Sequence, residues 1–289
     1  MLTPHLQRSP DGELLCENVR LTDVARQFGT PAYVYSRATI VDNFRAYQRA
    51  FAASKPLICY AVKANSTLSV LALLAAEGAG FDIVSAGELY RVIKAGGDPA
   101  KCTFAGVGKT RDEIEYALKQ GIYCFNAESE AELHYINQVA GELGMQAPVA
   151  VRVNPNVDAK THAKITTGKS ENKFGIDFDQ IIDVYARVAA DCPNLIIKGL
   201  QMHIGSQLTN VDPFLEAVQK VIPLVTQVKK SYGIEFFSIG GGIGCTSLPA
   251  TNTTSAANPS DPATLGPPAG AEVPAKILVT FSGHSPHHM

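Results

Sequence analysis

The sequence has no excess of basic residues. Its 289 residues contain 25 Lys and Arg against 27 Asp and Glu, which gives a formal net charge of -2, and only 18% of the residues are charged. Proteins that bind the phosphate backbone of nucleic acids need a concentrated positive surface. We therefore expect no nucleic-acid partner.

The sequence also lacks paired cysteines. Its six cysteines stand singly, with no C-x-x-C pair and no metal-ligand spacing to histidine. This pattern predicts neither a disulfide framework nor a metal site, and it is typical of buried thiols in a reducing compartment.

Long apolar runs are missing as well. Residues 1–12 have no apolar core of a signal peptide, and no later run is long enough to cross a bilayer. We expect a cytoplasmic protein with no membrane contact. With 46% hydrophobic residues, the chain can bury one large core or two smaller ones, and its length of 289 residues suits a single α/β barrel.

What the sequence does contain is an alternation of short apolar runs with stretches of helical periodicity, which is typical of repeated βα units. Polar residues and glycines follow nearly every run, at the strand ends where barrel enzymes build their sites. We therefore predict a TIM-type barrel, although a complete barrel needs eight strands. Seven runs are found: Leu57–Val62, Gly80–Val84, Lys101–Ala105, Tyr123–Asn126, Pro148–Val153, Ile197–His203 and Phe236–Ile239.

The composition changes abruptly after Gly244. Thr, Ser, Ala and Pro dominate, charges become scarce, and no apolar period returns until Lys276–Phe281. We expect residues 245–289 to be a disordered tail and the eighth strand to be missing. The sharpness of the change favours a tail translated out of frame, and a genuine Pro- and Thr-rich linker is the competing interpretation.

Lys63 follows a buried strand in the segment Tyr60–Asn65, so its amine should lie at the barrel rim. A lysine held there can form a Schiff base with an aldehyde, because partial burial and nearby cations favour the neutral amine. The competing interpretation is an ordinary surface lysine at a strand end.

The glycine-rich segment Gly240–Gly244 follows the seventh predicted strand. Glycines let backbone N–H groups approach an anion, and barrel phosphate sites commonly lie after the seventh and eighth strands. A phosphate site is thus predicted, with a simple flexible turn as the alternative.

His203 ends the sixth predicted strand and Ser206 follows it. An imidazole there could stack on a planar cofactor, and the serine could donate a hydrogen bond to the polar edge of that cofactor. A lone histidine is more often structural, but Lys63 and the glycines on the same rim favour the functional interpretation.

Segments Tyr60–Asn65, His203–Gln207 and Gly240–Gly244, in this order, resemble the fold-type III pyridoxal-phosphate decarboxylases. These enzymes have an alanine racemase-like (β/α)8 barrel as their N-terminal domain. The resemblance covers about Gly29 to Gly244. Further segments resemble the diaminopimelate decarboxylases in particular: Val153-Asn154-Pro155, Thr161-His162, Thr166-Thr167-Gly168 and Asn172-Lys173-Phe174-Gly175-Ile176.

This resemblance implies pyridoxal 5'-phosphate as cofactor and a role for each candidate residue. Lys63 would form the Schiff base, and His203 would stack on the pyridine ring. Around the phosphate would lie Ser206, Gly240, Gly241 and Gly242, with Asp82 and Arg152 as further pocket residues. The implied reaction converts meso-2,6-diaminopimelate, a small amino-acid substrate, to L-lysine in a homodimer.

The departures from that family matter equally. The family carries a Glu-Pro-Gly-Arg segment on the eighth strand, where the Glu keeps the ring nitrogen protonated, and this chain has no such segment. We also expect the C-terminal β-domain of the family to be missing. We divide the chain into an arm at 1–34 that would pack on that domain, a barrel at 35–244 and a tail at 245–289, and we expect the chain to be inactive as it stands.

Other interpretations remain. A non-catalytic pyridoxal-phosphate-binding barrel would explain the missing second domain. A decarboxylase of ornithine, arginine or carboxynorspermidine would keep the chemistry and change the substrate. An inert fragment is the third possibility.

Overall fold

The N-terminal residues form a small sheet ahead of the barrel. In the computed structural model, which describes residues 4–157, 174–206, 208, 210–243 and 276–281, this sheet is antiparallel and leads into a first helix. The Glu17 carboxylate accepts hydrogen bonds from the Ser36 hydroxyl (2.8 Å) and the Ala38 N–H (2.9 Å), which ties the arm to the second helix. The elements are β1 (Leu6–Arg8), β2 (Leu14–Cys16), β3 (Val19–Arg20), α1 (Leu21–Phe28) and α2 (Arg37–Ala50).

Eight parallel strands then close into a barrel, and the pairing of β10 (Leu195–Met202) with β8 (Ala147–Asn154) completes the circle. A short ninth strand, β9 (Ile176–Asp177), pairs with β8 alone. The barrel strands are β4 (Leu57–Ala61), β5 (Gly80–Ile83), β6 (Cys102–Phe104), β7 (Cys124–Ala127), β8 (Ala147–Asn154), β10 (Leu195–Met202), β11 (Phe236–Ser238) and β12 (Lys276–Phe281). The helices between them are α3 (Leu68–Ala76), α4 (Ala86–Lys94), α5 (Arg111–Gln120), α6 (Glu130–Glu142), α7 (Ile181–Asp191) and α8 (Asp212–Tyr232).

All seven predicted strands are confirmed, and the TIM-type barrel with them. Local signals explain where the helices begin: Ser85 and Ser129 cap the N-termini of α4 and α6, and Thr110 forms a capping box with Glu113 at α5. None of the described helices is both long and apolar enough to span a membrane.

The expectation of a missing eighth strand is wrong. Strand β12 lies between β11 and β4 and pairs with both, with Phe236 opposite Lys276 and Leu278 opposite Leu57. Without it, β11 and β4 would each present an unpaired edge, and an apolar run of strand length satisfies both edges at once. Residues 245–275 and 282–289 lie outside the described residues, so the prediction of disorder there stays a prediction.

The barrel interior changes from apolar to polar towards the carboxyl ends of the strands. One buried layer contains Cys59, Cys124, Ala150, Phe236 and Leu278. Two residues further along a strand the side chains point to the same face, and there the buried residues include Asn126, Arg152 and Ser238. The fold therefore gathers polar groups at the rim, above an apolar floor.

Candidate active site

Lys63 lies in a 3-10 turn that directly follows β4. The preceding residue, Val62, is fully buried, whereas Lys63 itself is exposed. The Tyr60 hydroxyl donates a 3.2 Å hydrogen bond to the Asn65 carbonyl oxygen and so closes the turn. The lysine amine is thus accessible at the rim while the backbone beneath it is fixed.

Asp82, near the end of β5, is buried and accepts a 3.1 Å hydrogen bond from the Thr103 hydroxyl. Burial raises the pKa of Asp82, and the positive charges of Lys63 and, to a smaller extent, Arg152 oppose this shift. The carboxyl group therefore lies within electrostatic reach of the candidate lysine.

Arg152, on β8, donates from Nη1 to both oxygens of the Glu128 carboxylate at 2.8 and 2.9 Å. Both side chains are almost fully buried. The guanidinium also lies 5.5 Å from the centre of the Phe174 ring. This pairing compensates both charges in a place where either alone would be costly.

His203 follows the last residue of β10 and is half-buried. Burial lowers its pKa well below the usual value for histidine, and the positive charges of Arg152 and Lys63 act in the same direction. The imidazole is therefore neutral at pH 7. A neutral, planar ring at this position suits stacking against an aromatic cofactor.

The loop Gly240–Gly242 passes closely between the ends of β10 and β12. A Cβ atom at Gly241 would collide with the Thr280 carbonyl, and one at Gly242 with the Gly205 carbonyl. Gly240 and Gly242 also have φ angles of 73° and 104°, which side chains rarely allow. Close packing and backbone conformation therefore require glycine at these positions, and the flexibility of a simple turn does not explain them.

Neighbouring segments hold this loop in place. The Thr280 N–H donates to the Gly240 carbonyl at 2.8 Å, and the Leu208 N–H donates to the Gly242 carbonyl at the same distance. Ser206 is half-buried in the segment after β10. The predicted anion loop and Ser206 thus lie on two adjacent segments of the rim.

The positive charges of Lys63 and Arg152 act on the pKa of both Asp82 and His203, so both of these side chains lie within electrostatic range of the two cations. The glycine loop lies against the backbone around His203, because a Cβ at Gly240 would meet the Met202 carbonyl and His203. Donor groups, an accessible amine and a neutral ring on one rim fit the phosphate, aldehyde and ring of pyridoxal phosphate.

Sequence reasoning missed Thr103 and Glu128, which bind Asp82 and Arg152. It also missed the ion pair of Lys109 with Glu132, which contacts the backbone of Glu128. Glu128 directly follows β7, so its strand-end position was a usable signal. The buried Lys109 and its partner Glu132 gave none, because each looks like an ordinary polar residue near a helix start.

Part of the discriminating stretch lies outside the described residues, namely Thr161-His162, Thr166-Thr167-Gly168 and Asn172-Lys173. Gly175 is described, with a φ of 81°. A Cβ there would approach the Arg152 carbonyl to 3.1 Å, so the glycine lets this segment pack directly on β8.

Residues 37–261 match the family described as "Pyridoxal-dependent decarboxylase, pyridoxal binding domain", beyond Gly244, where we expected the resemblance to end. Similar curated proteins include the diaminopimelate decarboxylases of Pseudomonas aeruginosa and Vibrio cholerae, 55% and 53% identical over 235 residues. These matches cover 81% of this chain but 56% of each relative, so the chain spans little more than half their length.

A similar solved structure is diaminopimelate decarboxylase from Helicobacter pylori in complex with L-lysine. It is 37% identical with a TM-score of 0.79, and the match covers 91% of this chain and 65% of the other. An arginine decarboxylase from Paramecium bursaria Chlorella virus, at 21% identity and a TM-score of 0.72, shares the fold alone.

Proposed function

Because this chain belongs to the pyridoxal-dependent decarboxylases, whose pyridoxal-binding domain it matches, we propose that it is the cofactor-binding part of a diaminopimelate decarboxylase. The reaction would release an α-carboxylate of meso-2,6-diaminopimelate as carbon dioxide, and the α-carbon would take up a proton in its place to give L-lysine. The convergence of Lys63, His203 and the glycine loop on one rim is the observation that carries this proposal. When bound, pyridoxal phosphate supplies the electron sink for decarboxylation.

We propose Lys63 as the residue that binds the cofactor covalently. Its amine is exposed at the rim, and the turn that carries it is closed by Tyr60 and anchored by the buried Val62. An accessible amine on a fixed backbone can reach the aldehyde of the cofactor, where a primary amine can form a Schiff base.

His203 and the glycine loop would position the cofactor. A neutral imidazole can lie against a pyridine ring without placing a second positive charge beside a protonated ring nitrogen. Gly240, Gly241 and Gly242 allow a phosphate to approach the backbone, and Ser206 would add a hydroxyl donor.

Asp82 and Arg152 would set the charge around Lys63. Arg152 is held by Glu128 at 2.8 Å, so its position is fixed before any ligand arrives. Asp82 is fixed by Thr103, and burial raises the pKa of its carboxyl group.

By itself this chain should decarboxylate poorly. Thr280 and Phe281 form the rim end of β12, and none of the six described residues of that strand is acidic. A protonated ring nitrogen needs a carboxylate partner to remain an efficient electron sink.

We further propose that the arm at 1–34 packs on a β-domain of the parent enzyme. That enzyme would be a homodimer of the cytoplasm.

Absorbance titration of the purified chain tests this proposal. Pyridoxal phosphate should bind with a Schiff-base absorbance band that a Lys63→Ala variant lacks. Subsequent addition of meso-diaminopimelate should change the spectrum of the wild-type complex, whereas L-ornithine at equal concentration should not. Absence of a Lys63-dependent band would refute the cofactor site, and a response to L-ornithine alone would refute the substrate.

A further inference from the structure

Lys109 carries a buried charge outside the residues that we assign to the cofactor. Its side chain is 1% exposed. Its Nζ donates to the Gly106 carbonyl (2.7 Å), the Asn126 carbonyl (2.9 Å) and the Glu132 carboxylate (2.9 Å). These bonds use all three hydrogens of the ammonium group. A charge buried this completely is stable only where hydrogen bonds and an opposite charge compensate for its lost hydration.

The contacts continue from Lys109 towards the candidate site. The second carboxylate oxygen of Glu132 accepts a 2.7 Å hydrogen bond from the Glu128 N–H. Glu132 therefore binds Lys109 with one oxygen and fixes the backbone of Glu128 with the other. The Glu128 side chain in turn holds Arg152 through both of its oxygens.

We propose that Lys109 and Glu132 are positioning residues that fix the Glu128–Arg152 pair beside His203 and so prepare the cofactor pocket. This inference rests on the proposed function, because the pocket is the proposed cofactor site. The contacts bring together the β6–α5 loop, the end of β7 and the first turn of α6. Such supporting contacts keep the residues that touch a ligand in a productive geometry.

A double-mutant cycle on the Kd for pyridoxal phosphate distinguishes a positioning role of Lys109 from a purely structural role. Lys109→Met should raise the Kd for pyridoxal phosphate about tenfold or more, the scale of one hydrogen bond to a charged group. In a Glu128→Gln background the same change should alter Kd less than about twofold, because the contact that it acts through is already gone. An equal factor in both backgrounds would overturn the proposal.

Lys119 provides the matched control. It is an exposed lysine on α5 in an ion pair with Glu115, so Lys119→Met removes a charge from the same part of the chain without touching the cluster. We expect its cofactor Kd to equal that of the wild type. If Lys109→Met fails to fold, Glu132→Gln is the second variant, since Lys109 and Glu128 bind different oxygens of Glu132 and the amide replaces one of these acceptors with an NH2 donor.

The cofactor-free protein gives an independent readout. With ¹⁵N-labelled histidine, the His203 ring signal is identified by its absence in His203→Gln. Lys109→Met and Glu132→Gln should shift this signal, and Lys119→Met should leave it unmoved. A wild-type chain that binds no cofactor refutes the proposed function while this spectrum still decides the inference, and an unmoved signal in both cluster variants overturns it.

Discussion

At the scale of single residues, the two lysines near the rim differ in what they can do. Lys63 is exposed after β4, whereas the Nζ of Lys109 is buried with all three hydrogens bonded. Borohydride reduction in the presence of pyridoxal phosphate should therefore label Lys63, and peptide mapping would locate the label. A label on Lys109 would contradict the assignment.

A second residue-scale prediction concerns the glycine loop. Gly242→Ala places a Cβ at a φ of 104° and against the Gly205 carbonyl, so both backbone strain and a collision oppose it. Gly78 has a φ of 84° and open space around it, so Gly78→Ala suffers strain alone. Strain of this kind costs about 1 to 3 kcal/mol. Urea unfolding should show Gly242→Ala to be clearly less stable than Gly78→Ala, and equal stabilities would show that the loop does not pack closely there.

A third prediction follows from the neutral state of His203. The pKa of His203 in the folded state lies well below 6.5. Below pH 6.5, His203 therefore binds a proton in the unfolded chain but not in the folded chain. The free energy of unfolding should therefore fall as the pH decreases below about 6.5, by at most about 1.4 kcal/mol per pH unit from this group. Asp82, whose pKa is raised, acts in the opposite sense as its carboxylate is protonated.

The variant His203→Gln isolates this contribution. Urea unfolding at pH 7.5 and 5.5 should show a smaller loss of stability for the variant than for the wild type. An equal loss in both proteins would mean that His203 titrates normally in the folded state.

At the scale of elements, β12 decides whether the barrel is closed. The Phe281 ring is buried, with its centre 5.7, 5.5 and 5.4 Å from the ring centres of Phe44, Tyr47 and Tyr60. Phe281→Ala should cost about 3 to 5 kcal/mol of the free energy of unfolding, as buried phenylalanines usually do.

Lys276, on the same strand, is exposed and serves as the control. Lys276→Ala should change stability by less than about 0.5 kcal/mol. Both values come from denaturant titration. If the two variants are equally stable, the strand does not belong to the barrel and the expectation of a missing eighth strand would stand after all.

At the scale of the whole molecule, cofactor binding and catalysis should separate. The glycine loop, His203 and Lys63 are present, but no described residue of β12 is acidic, and the chain spans 56% of the length of the Pseudomonas aeruginosa relative. Carbon dioxide release from meso-diaminopimelate should thus fall below detection in a cofactor-loaded sample, with a full-length relative as positive control. Release at a rate comparable to that relative would contradict the prediction and require another partner for the ring nitrogen.

The repeated units and the rim position of the candidate residues could be predicted from the sequence because their signals are local. Apolar runs of strand length mark β4 to β8, β10 and β11, and Lys63, His203 and the glycines follow such runs directly. In a parallel barrel all strand ends meet at one rim, so a local position is enough to bring these residues together.

The tertiary structure alone decided the closure of the barrel and the support of the site. Strand β12 pairs with β4, whose residues come more than two hundred positions earlier. The local hydrophobic periodicity of a strand does not indicate which other strands it will pair with. Arg152 meets Glu128 across 24 positions, and Lys109 meets Glu132 across 23. Such contacts depend on how the elements pack, because a buried charge selects its partner by proximity in the folded molecule and leaves no pattern in the neighbouring sequence.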